Sequence, residues 1–188
     1  SMHDFMKKYG PFIALLLVLI GVGVLLIFFG PREIVDAIGV RNSYLAIFLL
    51  ALLGGVSSFT SSSFYAAVLI FAAGGLNPFL IMLAAGPGLT IGDTVFFFLG
   101  VKAHDAFLQK YHHRIERISR WLQRRRALMP IIIYFYTGFS PFPGDILAIF
   151  LALIEYPYRK MIVPLLLGNM TLMLILSLLA KEGIRLFQ

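Results

Sequence analysis

The sequence contains no cysteine, which removes several kinds of chemistry at once. Disulfide bonds, nucleophilic thiols and thiolate metal sites are all excluded. We find no pairing of a nucleophile with a general base, no phosphate-binding loop and no dinucleotide-binding fingerprint. His112 and His113 lack the spacing to a carboxylate or to another histidine that a zinc site requires. We therefore expect no enzymatic activity, no cofactor and no metal site.

Charged residues are also scarce. They make up 13% of the chain, with 9 acidic and 16 basic residues and a formal net charge of +7. These charges lie between apolar segments, which favours an anionic membrane surface over nucleic acid as a partner. Hydrophobic residues make up 60% of the chain and the mean hydropathy is +0.90, whereas soluble domains are about 45–50% apolar. The composition predicts an integral membrane protein.

Apolar segments recur along the whole chain, and several are long enough to cross a bilayer, which takes about 20 residues of helix. They cover residues 11–29, 44–74, 78–100, 128–154 and 161–180. We expect residues 1–10 to be a cytoplasmic N-terminus and residues 11–188 to form a single all-helical membrane domain. The first segment is read as a retained transmembrane helix, because no small-x-small cleavage site follows it.

Residues 101–127 form a basic connector between the apolar segments. One apolar stripe recurs here at intervals of three and four residues, through Phe107, Tyr111, Ile115, Ile118 and Leu122. A basic amphipathic helix of this kind lies in the membrane interface with its cations toward anionic head groups. The head-group contacts are predicted at Arg124, Arg125, Arg126, Arg159 and Lys160. The alternative is a solvated connector that only fixes orientation.

Two of the apolar segments are interrupted near their centres. The first break is the Ser/Thr-rich stretch at residues 57–63, and the second is FSPFPGD at residues 139–145. In the second break, Pro141 and Pro143 oppose a continuous helix and Gly144 permits a turn. Non-helical backbone at membrane depth must be buried in protein or line a water-filled cavity. Both segments are therefore predicted to be re-entrant hairpins whose half-helices meet near the midplane.

An offset of 80 residues aligns the two interrupted segments as a weak internal repeat, with Phe59 over Phe139. Repeat 1 covers about residues 44–100 and repeat 2 about residues 128–180. If the connector is cytoplasmic, as the positive-inside rule requires, twelve basic residues lie inside and four outside. The N-terminus is then inside, the C-terminus outside, and the repeats inverted, as in many transporters. We expect a multi-pass protein of a prokaryotic cytoplasmic membrane.

Asp145 is the strongest candidate for function. A carboxylate at the bilayer centre costs about 2.5–3.5 kcal/mol, so it should face the protein interior or a water-filled cavity. The alternative reading is a buried N-cap of the second half-helix. Asp93 is the second candidate, and its alternative is a carboxylate that is hydrogen-bonded to a neighbouring helix or reached by water. The remaining residues assigned to the substrate path are Ser61, Ser62, Ser63, Tyr134, Tyr136 and Asn169, the last also suited to helix packing.

Several short motifs occur in an order that resembles the DedA/VTT-domain membrane proteins, also called the SNARE-associated Golgi protein family. They are GGLNP at residues 74–78, IGDTVFFFLG at 91–100, PFPGD at 141–145, an aromatic-x-x-x-basic pattern at 156–160, and Gly168. The resemblance covers roughly residues 40–180. The chain departs from many bacterial members at residues 61–63, where they carry an acid, and at residues 134–137, where they carry an arginine.

The resemblance implies two opposed re-entrant hairpins and movement of lipid between leaflets by a flippase or scramblase. The lipid would be a phospholipid or a polyprenyl phosphate. Two other functions stay open from the residues alone. One is a proton- or cation-coupled transporter of small solutes that uses Asp93 and Asp145, and the other is a non-transporting membrane scaffold that acts through the basic connector.

Overall fold

The computed structural model describes residues 31–54, 58–140 and 142–185. Within these residues the secondary structure is entirely helical, which confirms the predicted all-helical class. The helices are α1 (Pro31–Ile38), α2 (Val40–Gly54), α3 (Ser58–Ala73), α4 (Pro78–Gln123), α5 (Met129–Phe139), α6 (Gly144–Leu153) and α7 (Tyr158–Arg185). The predicted helix at 11–29 and the predicted break residue Pro141 lie outside the described residues.

Helix α4 is a single helix of 46 residues, although the sequence suggested a separate connector helix at residues 101–127. It begins at Pro78, after Asn77 has capped it by accepting a hydrogen bond from the Phe79 N–H at 2.9 Å. It then continues through Pro87 into the basic segment. No proline follows Pro87 before Gln123, so nothing in the sequence stops the helix where its composition changes from apolar to basic.

The first predicted break is wrong in position. Helix α3 already begins at Ser58, so residues 58–63 form its first turns, and residue 57 of the predicted break lies outside the described residues. Serine is only slightly less favourable than alanine in a helix, and a run of serines does not by itself end one.

The second predicted break is confirmed. Helix α5 ends at Phe139 and α6 begins at Gly144. Between them, the backbone is extended at Ser140 (φ −90°, ψ 142°) and at Pro143 (φ −61°, ψ 138°). Proline lacks an N–H and disfavours helical backbone at the residue before it, and the sequence has two prolines here, at 141 and 143, whereas the single Pro87 does not end α4.

Two turns of the same geometry follow α3 and α6. Gly75 has φ 101° and Glu155 has φ 56°, and these residues lie 80 positions apart, the offset of the sequence repeat. Each turn closes with the hydrogen-bond pair of a Schellman motif. The bonds are Gly75 N to Ala72 O (3.1 Å) with Leu76 N to Phe71 O (3.2 Å), and Glu155 N to Ala152 O (3.0 Å) with Tyr156 N to Leu151 O (2.8 Å).

Helices α2–α4 of the first half of the chain and α5–α7 of the second half pack in a crossed arrangement. Helix α2 packs on α4, and α5 packs on α7. In contrast, α3 packs against α7 as well as α2, and α6 packs mainly against α4. Each half of the chain therefore supplies a helix that packs against the long helix of the other half.

Glycines allow the closest of these contacts. A Cβ at Gly88 would lie 2.6 Å from the Ala51 Cβ and 2.9 Å from the Phe48 carbonyl oxygen of α2. A Cβ at Gly168 would overlap the Thr137 hydroxyl of α5 and lie 2.9 Å from the Tyr134 carbonyl oxygen. These two glycines are also 80 positions apart.

Two apolar cores result, and the long helices pass through both. Core 1 takes Ile81, Ala85 and Leu89 from α4 and Met173 from α7. Core 2 takes Phe97 and Leu122 from α4 and Met161 and Leu165 from α7. Along the chain, α4 passes from core 1 to core 2, whereas α7 passes from core 2 to core 1. The two helices therefore run in opposite directions.

Two stretches of helix in the described part of the chain are long and apolar enough to cross a membrane. They are Pro78–Asp105 in α4 and Tyr158–Gly183 in α7. The other apolar helices are shorter, at 10 to 17 residues. The two cores are built around the two long helices.

Candidate functional site

A layer of buried polar side chains separates the two apolar cores. On α4 it lies between Leu89 of core 1 and Phe97 of core 2, and on α7 between Leu165 and Met173. Its members are each at most 8% exposed: Thr90, Asp93, Thr137, Asp145 and Asn169. We call this set the polar layer.

The polar layer contains the two carboxylates of the long apolar runs. Asp93 is the sole charged residue between Arg41 and Lys102 in the sequence, and Asp145 is the sole charged residue between Arg126 and Glu155. The fold brings these two residues close enough to interact electrostatically. Both are buried, as the sequence predicted for Asp145.

Asp93 is held by an amide from the other long helix. The Asn169 side-chain amide donates to the Asp93 carboxylate at 2.9 Å and to the Thr90 hydroxyl oxygen at 3.1 Å. The Thr90 hydroxyl in turn donates to the Gly86 carbonyl at 2.8 Å, which leaves its oxygen free to accept from Asn169. Asn169 thus joins α7 to α4, and the packing role considered for it is confirmed.

The first residue of α6 lies directly against the Asp93 carboxylate. A Cβ at Gly144 would be 2.7 Å from one carboxylate oxygen and 2.9 Å from the other. No other residue type fits here without displacing Asp93. The N-terminal end of a helix carries a partial positive charge on its unbonded N–H groups, which favours a nearby carboxylate.

Asp145 does not occupy the N-cap position that the sequence allowed for it. Helix α6 begins at Gly144, and Pro143 stands at the N-cap without a side-chain hydrogen bond. Asp145 is the second helical residue, and its carboxylate accepts from the Ile146 N–H at 2.8 Å. It is 8% exposed, so it contributes a buried carboxylate in the first turn rather than the cap.

Two tyrosines from different helices approach the carboxylates. Tyr65 of α3 and Tyr136 of α5 each interact electrostatically with both Asp93 and Asp145. The Tyr136 hydroxyl also donates to the Pro143 carbonyl at 3.4 Å, in the break before α6. Tyr136 was assigned to the site from the sequence. Tyr65 was missed, although it lies 80 positions before Asp145, and the repeat offset could have found it.

The other predicted site residues lie outside the polar layer, or their side chains are not among those that the structure describes. The Tyr134 hydroxyl pairs with the Thr171 hydroxyl at 3.1 Å. Ser61, Ser62 and Ser63 belong to α3, but their side chains lie outside the described part of the structure. The basic residues predicted at the interface are exposed near the ends of the long helices, at Arg124, Arg125, Arg126, Arg159 and Lys160.

Comparison with protein-family models, with curated proteins and with solved structures gave no match to this chain. The chemistry that the polar layer can perform is therefore inferred from its own side chains. Two buried carboxylates, one amide and several hydroxyls can exchange a proton, bind a cation, or accept hydrogen bonds from an amine or hydroxyl. In the described residues, no group of three or more His, Asp or Glu is arranged to hold a metal ion.

Proposed function

We propose that this chain is a multi-pass membrane protein that moves lipid between the two leaflets of a bilayer. One observation carries the proposal. The two lone carboxylates of the long apolar runs, Asp93 and Asp145, meet in a buried polar layer that lies between two apolar cores. Ionisable residues inside membrane segments are costly, and they mark paths for substrates, ions or protons.

The outer surface of the helices supports a membrane environment. Large apolar side chains that are 46–65% exposed occur on α4, α5 and α7 and in the break before α6. They include Phe79, Ile91, Val95, Phe98, Leu99, Ile131, Phe135, Phe139, Phe142, Val163, Leu167 and Leu179. Soluble monomers rarely expose apolar patches larger than a few hundred Å². Acyl chains would cover this surface without cost.

The arrangement of the helices supports an inverted repeat with re-entrant hairpins. The long helices α4 and α7 run in opposite directions, and the turns before them match at an offset of 80 residues. Helices α5 and α6 have 11 and 10 residues, and at 1.5 Å per residue each is about 15–17 Å long. That is about half of a 30 Å hydrocarbon core. We infer that this pair enters the membrane and returns to the same side.

A lipid fits these features better than a fully polar solute does. A lipid needs a polar place for its head group and an apolar side opening for its tails. The polar layer offers the first, and the exposed apolar faces of the short helices α5 and α6 offer the second. The resemblance to DedA/VTT-domain proteins supports the same class of substrate, a phospholipid or a polyprenyl phosphate.

Lipid movement can be measured in proteoliposomes with a fluorescent phospholipid and an impermeant quencher. The wild-type chain should expose about all of the label to quencher, whereas empty vesicles expose about half. Replacing both Asp93 and Asp145 with asparagine keeps side-chain oxygens while removing the charges, and should slow the exchange by about tenfold, which corresponds to 1.4 kcal/mol. Wild-type chain that behaves like empty vesicles would refute lipid scrambling, and native mass spectrometry would then show whether a lipid is retained at all.

The paired carboxylates also favour a second candidate, a proton- or cation-coupled transporter of a small solute. Two carboxylates that interact in a buried layer are a natural place to load and release a proton. Uptake of solute driven by an imposed pH gradient, without lipid exchange, would select this candidate. A scaffold that acts through the basic end of α4 would tolerate loss of both carboxylates in either assay.

The proposed orientation places the N-terminus and the basic end of α4 in the cytoplasm and the C-terminus outside. It follows from the positive-inside rule applied to the basic residues. The chain has no cysteine, so single cysteines can be introduced into the natural background and labelled with an impermeant reagent. Labelling of position 114 from outside intact cells, or failure to label position 181 from outside, would overturn the orientation.

A further inference from the structure

The turn after α6 carries a strained residue that the matching turn after α3 lacks. Glu155 has φ 56° and is the single residue other than glycine with a positive φ in the part of the chain that the structure describes. The matching turn has Gly75 at this position. Glycine adopts positive φ without strain, so the turn itself gives no reason for a glutamate. Backbone strain that the fold does not require indicates a role for the side chain.

The Glu155 carboxylate lies next to a histidine of α4. One of its oxygens is 3.4 Å from the His104 Nε2. The other ring nitrogen, Nδ1, is 3.2 Å from a carboxylate oxygen of Asp105. Close packing of α4 on α6 brings the ring to this turn, since a Cβ at Gly100, one helical turn before the histidine, would lie 2.8 Å from the Ala152 Cβ. The His104 side chain is 18% exposed, whereas those of Glu155 and Asp105 are 77% and 96% exposed.

The His104 ring satisfies both contacts only when it is protonated. A neutral imidazole has one N–H donor and one nitrogen that can only accept, whereas an imidazolium ion donates from both nitrogens. Because both nitrogens face carboxylate oxygens, the neutral ring leaves one carboxylate opposite a lone pair. Histidine is the side chain that ordinarily changes its charge between about pH 5 and pH 8. The number of satisfied contacts therefore depends on pH.

Other ionisable groups around the turn do not replace His104 as the partner of Glu155. The cations on the elements that meet here are all exposed, and one of them lines a small cavity with Glu155: Lys102, Arg159, Lys160 and, in the cavity, Arg126. Within the described residues, none of these cations forms an ion pair with Glu155 or Asp105. Burial raises the pKa of Tyr156 above its ordinary value, so this neighbour stays neutral over the same pH range.

We propose that His104, Asp105 and Glu155 form a pH-sensitive latch, which holds the turn after α6 against α4 when the His104 ring is protonated and loosens when the ring is neutral. Both ion pairs favour the charged ring. The latch therefore contributes stability at acidic pH, and this contribution is lost as the pH rises. The backbone strain at Glu155 is present at every pH, so the turn is held least well where the ring is neutral.

The latch and the polar layer lie at opposite ends of α6. Gly144, the first residue of this helix, lies against the Asp93 carboxylate, and Glu155 follows its last turn. Loosening the latch should therefore let α6 move relative to α4 at the end that is away from the polar layer. The latch does not depend on what passes the polar layer, and its test measures no transport.

The test compares thermal melting of full-chain variants in neutral detergent at about pH 5.5 and about pH 8, on either side of the ordinary titration of histidine. Glu155→Gln keeps the length of the side chain and the backbone constraint but removes the charge. It should lower the melting temperature by about 1–3 °C at the acidic pH, because exposed ion pairs contribute little, and should lower it less at the alkaline pH. Glu33→Gln, at an exposed glutamate outside the latch, is the matched control and should have the same effect at both pH values.

A double variant separates the ion pair from any other effect of Glu155. In a His104→Gln background, Glu155→Gln should have the same effect at both pH values, because no ring is left to protonate. Glu155→Gly relieves the strained backbone at every pH but also removes the carboxylate. Its melting temperature relative to the wild type should therefore be lower at the acidic pH than at the alkaline pH.

Hydrogen exchange shows whether the turn itself is held. The N–H groups of Glu155 and Tyr156 close the turn, so their exchange reports its opening. At the acidic pH they should exchange about two- to fivefold faster in Glu155→Gln than in the wild type, whereas at the alkaline pH the rates should match. Equal losses of melting temperature at both pH values, a pH-dependent loss that persists without His104, or unchanged exchange at the acidic pH would overturn the latch.

Discussion

The two halves of the molecule place different side chains at positions that correspond at the repeat offset. On one side of the interior, Gly144 lies against the Asp93 carboxylate. The residues 80 positions away, Phe64 and Met173, are 2% and 0% exposed and belong to the apolar core 1. The pair of positions that holds Gly144 and Asp93 in one place therefore holds two buried apolar side chains in the other.

This comparison distinguishes the features that both halves share from those that are found in one place only. The turns at Gly75 and Glu155 and the contacts at Gly88 and Gly168 occur in both halves, so they serve the fold. The carboxylates have no acidic counterpart at this offset, so they belong to the polar layer and not to the features that both halves share. Asp145 corresponds at this offset to Tyr65, which lies within electrostatic range of Asp93 and Asp145.

The largest loss of stability is expected from changes at the helix contacts that both halves share. Gly168→Ala and Gly88→Ala should each destabilise the protein by about 1–3 kcal/mol, because the added methyl group meets the neighbouring helix. Denaturation in detergent, followed by circular dichroism, measures the loss. Gly183→Ala is the control: a Cβ there meets nothing within 4 Å, so a gain of up to about 1 kcal/mol is expected from helix propensity.

If only one of Gly88→Ala and Gly168→Ala destabilises the protein, the two contacts are not equivalent. The correspondence between the halves would then hold for the backbone turns but not for the packing of the long helices.

The next largest effect is expected on lipid movement, from variants of Asp145 and Tyr65, the residues that differ at corresponding positions of the two halves. Asp145→Asn should fold with near-normal stability but slow lipid movement by about tenfold, which corresponds to 1.4 kcal/mol. Tyr65→Phe should change lipid movement by less than Asp145→Asn does, because it removes a hydroxyl and no charge. The quenching assay in proteoliposomes compares them.

Asp145→Ala removes both the charge and the oxygen that accepts from the Ile146 N–H. It should add a loss of stability of about 0.5–1.5 kcal/mol, the net contribution of one hydrogen bond, to the loss of transport. If Asp145→Asn transports as the wild type does while Asp145→Ala is merely unstable, the role of Asp145 is structural.

A smaller effect is expected from hydroxyls inside the helices. Thr90→Val removes the oxygen that accepts from Asn169 and should cost about 1 kcal/mol of stability. Ser177→Ala is the contrasting change, because the buried Ser177 hydroxyl has no partner among the described residues. It should leave the stability unchanged or raise it. A larger loss from Ser177→Ala than from Thr90→Val would contradict the assigned hydrogen bonds.

An effect of similar size concerns the two matching turns. Gly75→Ala should cost about 1 kcal/mol or slightly more, because alanine disfavours the left-handed backbone at φ 101°. Glu155→Gly should be neutral or stabilise by up to about 1 kcal/mol, since glycine adopts positive φ without strain. Opposite signs for the two changes in thermal melting would confirm that the turns are equivalent, and equal signs would argue against it.

Local sequence signals predicted one of the two positions at which a helix is interrupted. Pro143 and Gly144 placed the second break correctly because two prolines close together in the sequence oppose a continuous helix more strongly than one does. The serines at residues 58–63 misplaced the first break, because they permit helix, and the basic composition after Gly100 did not end α4.

The contacts between distant residues could not be predicted from one sequence. Asp93 and Asp145 each stood out as a lone acid in an apolar run. However, no local feature indicated that they would meet, or that Asn169, 76 residues after Asp93, would donate to its carboxylate. Those pairings depend on the crossed packing of α6 on α4 and on the opposite directions of the two long helices.

The hydrogen bond between Asp93 and Asn169 has a consequence for biosynthesis. The ribosome makes Asp93 first and must add 76 more residues before its amide partner exists. At about 5–20 residues per second, that interval lasts about 4–15 s. Helix α6 is made within this interval, whereas Asn169 of α7 comes at its end. If the chain is inserted into a membrane as proposed, α4 enters it with this carboxylate unpaired, and water or another protein has to satisfy the carboxylate until Asn169 is made.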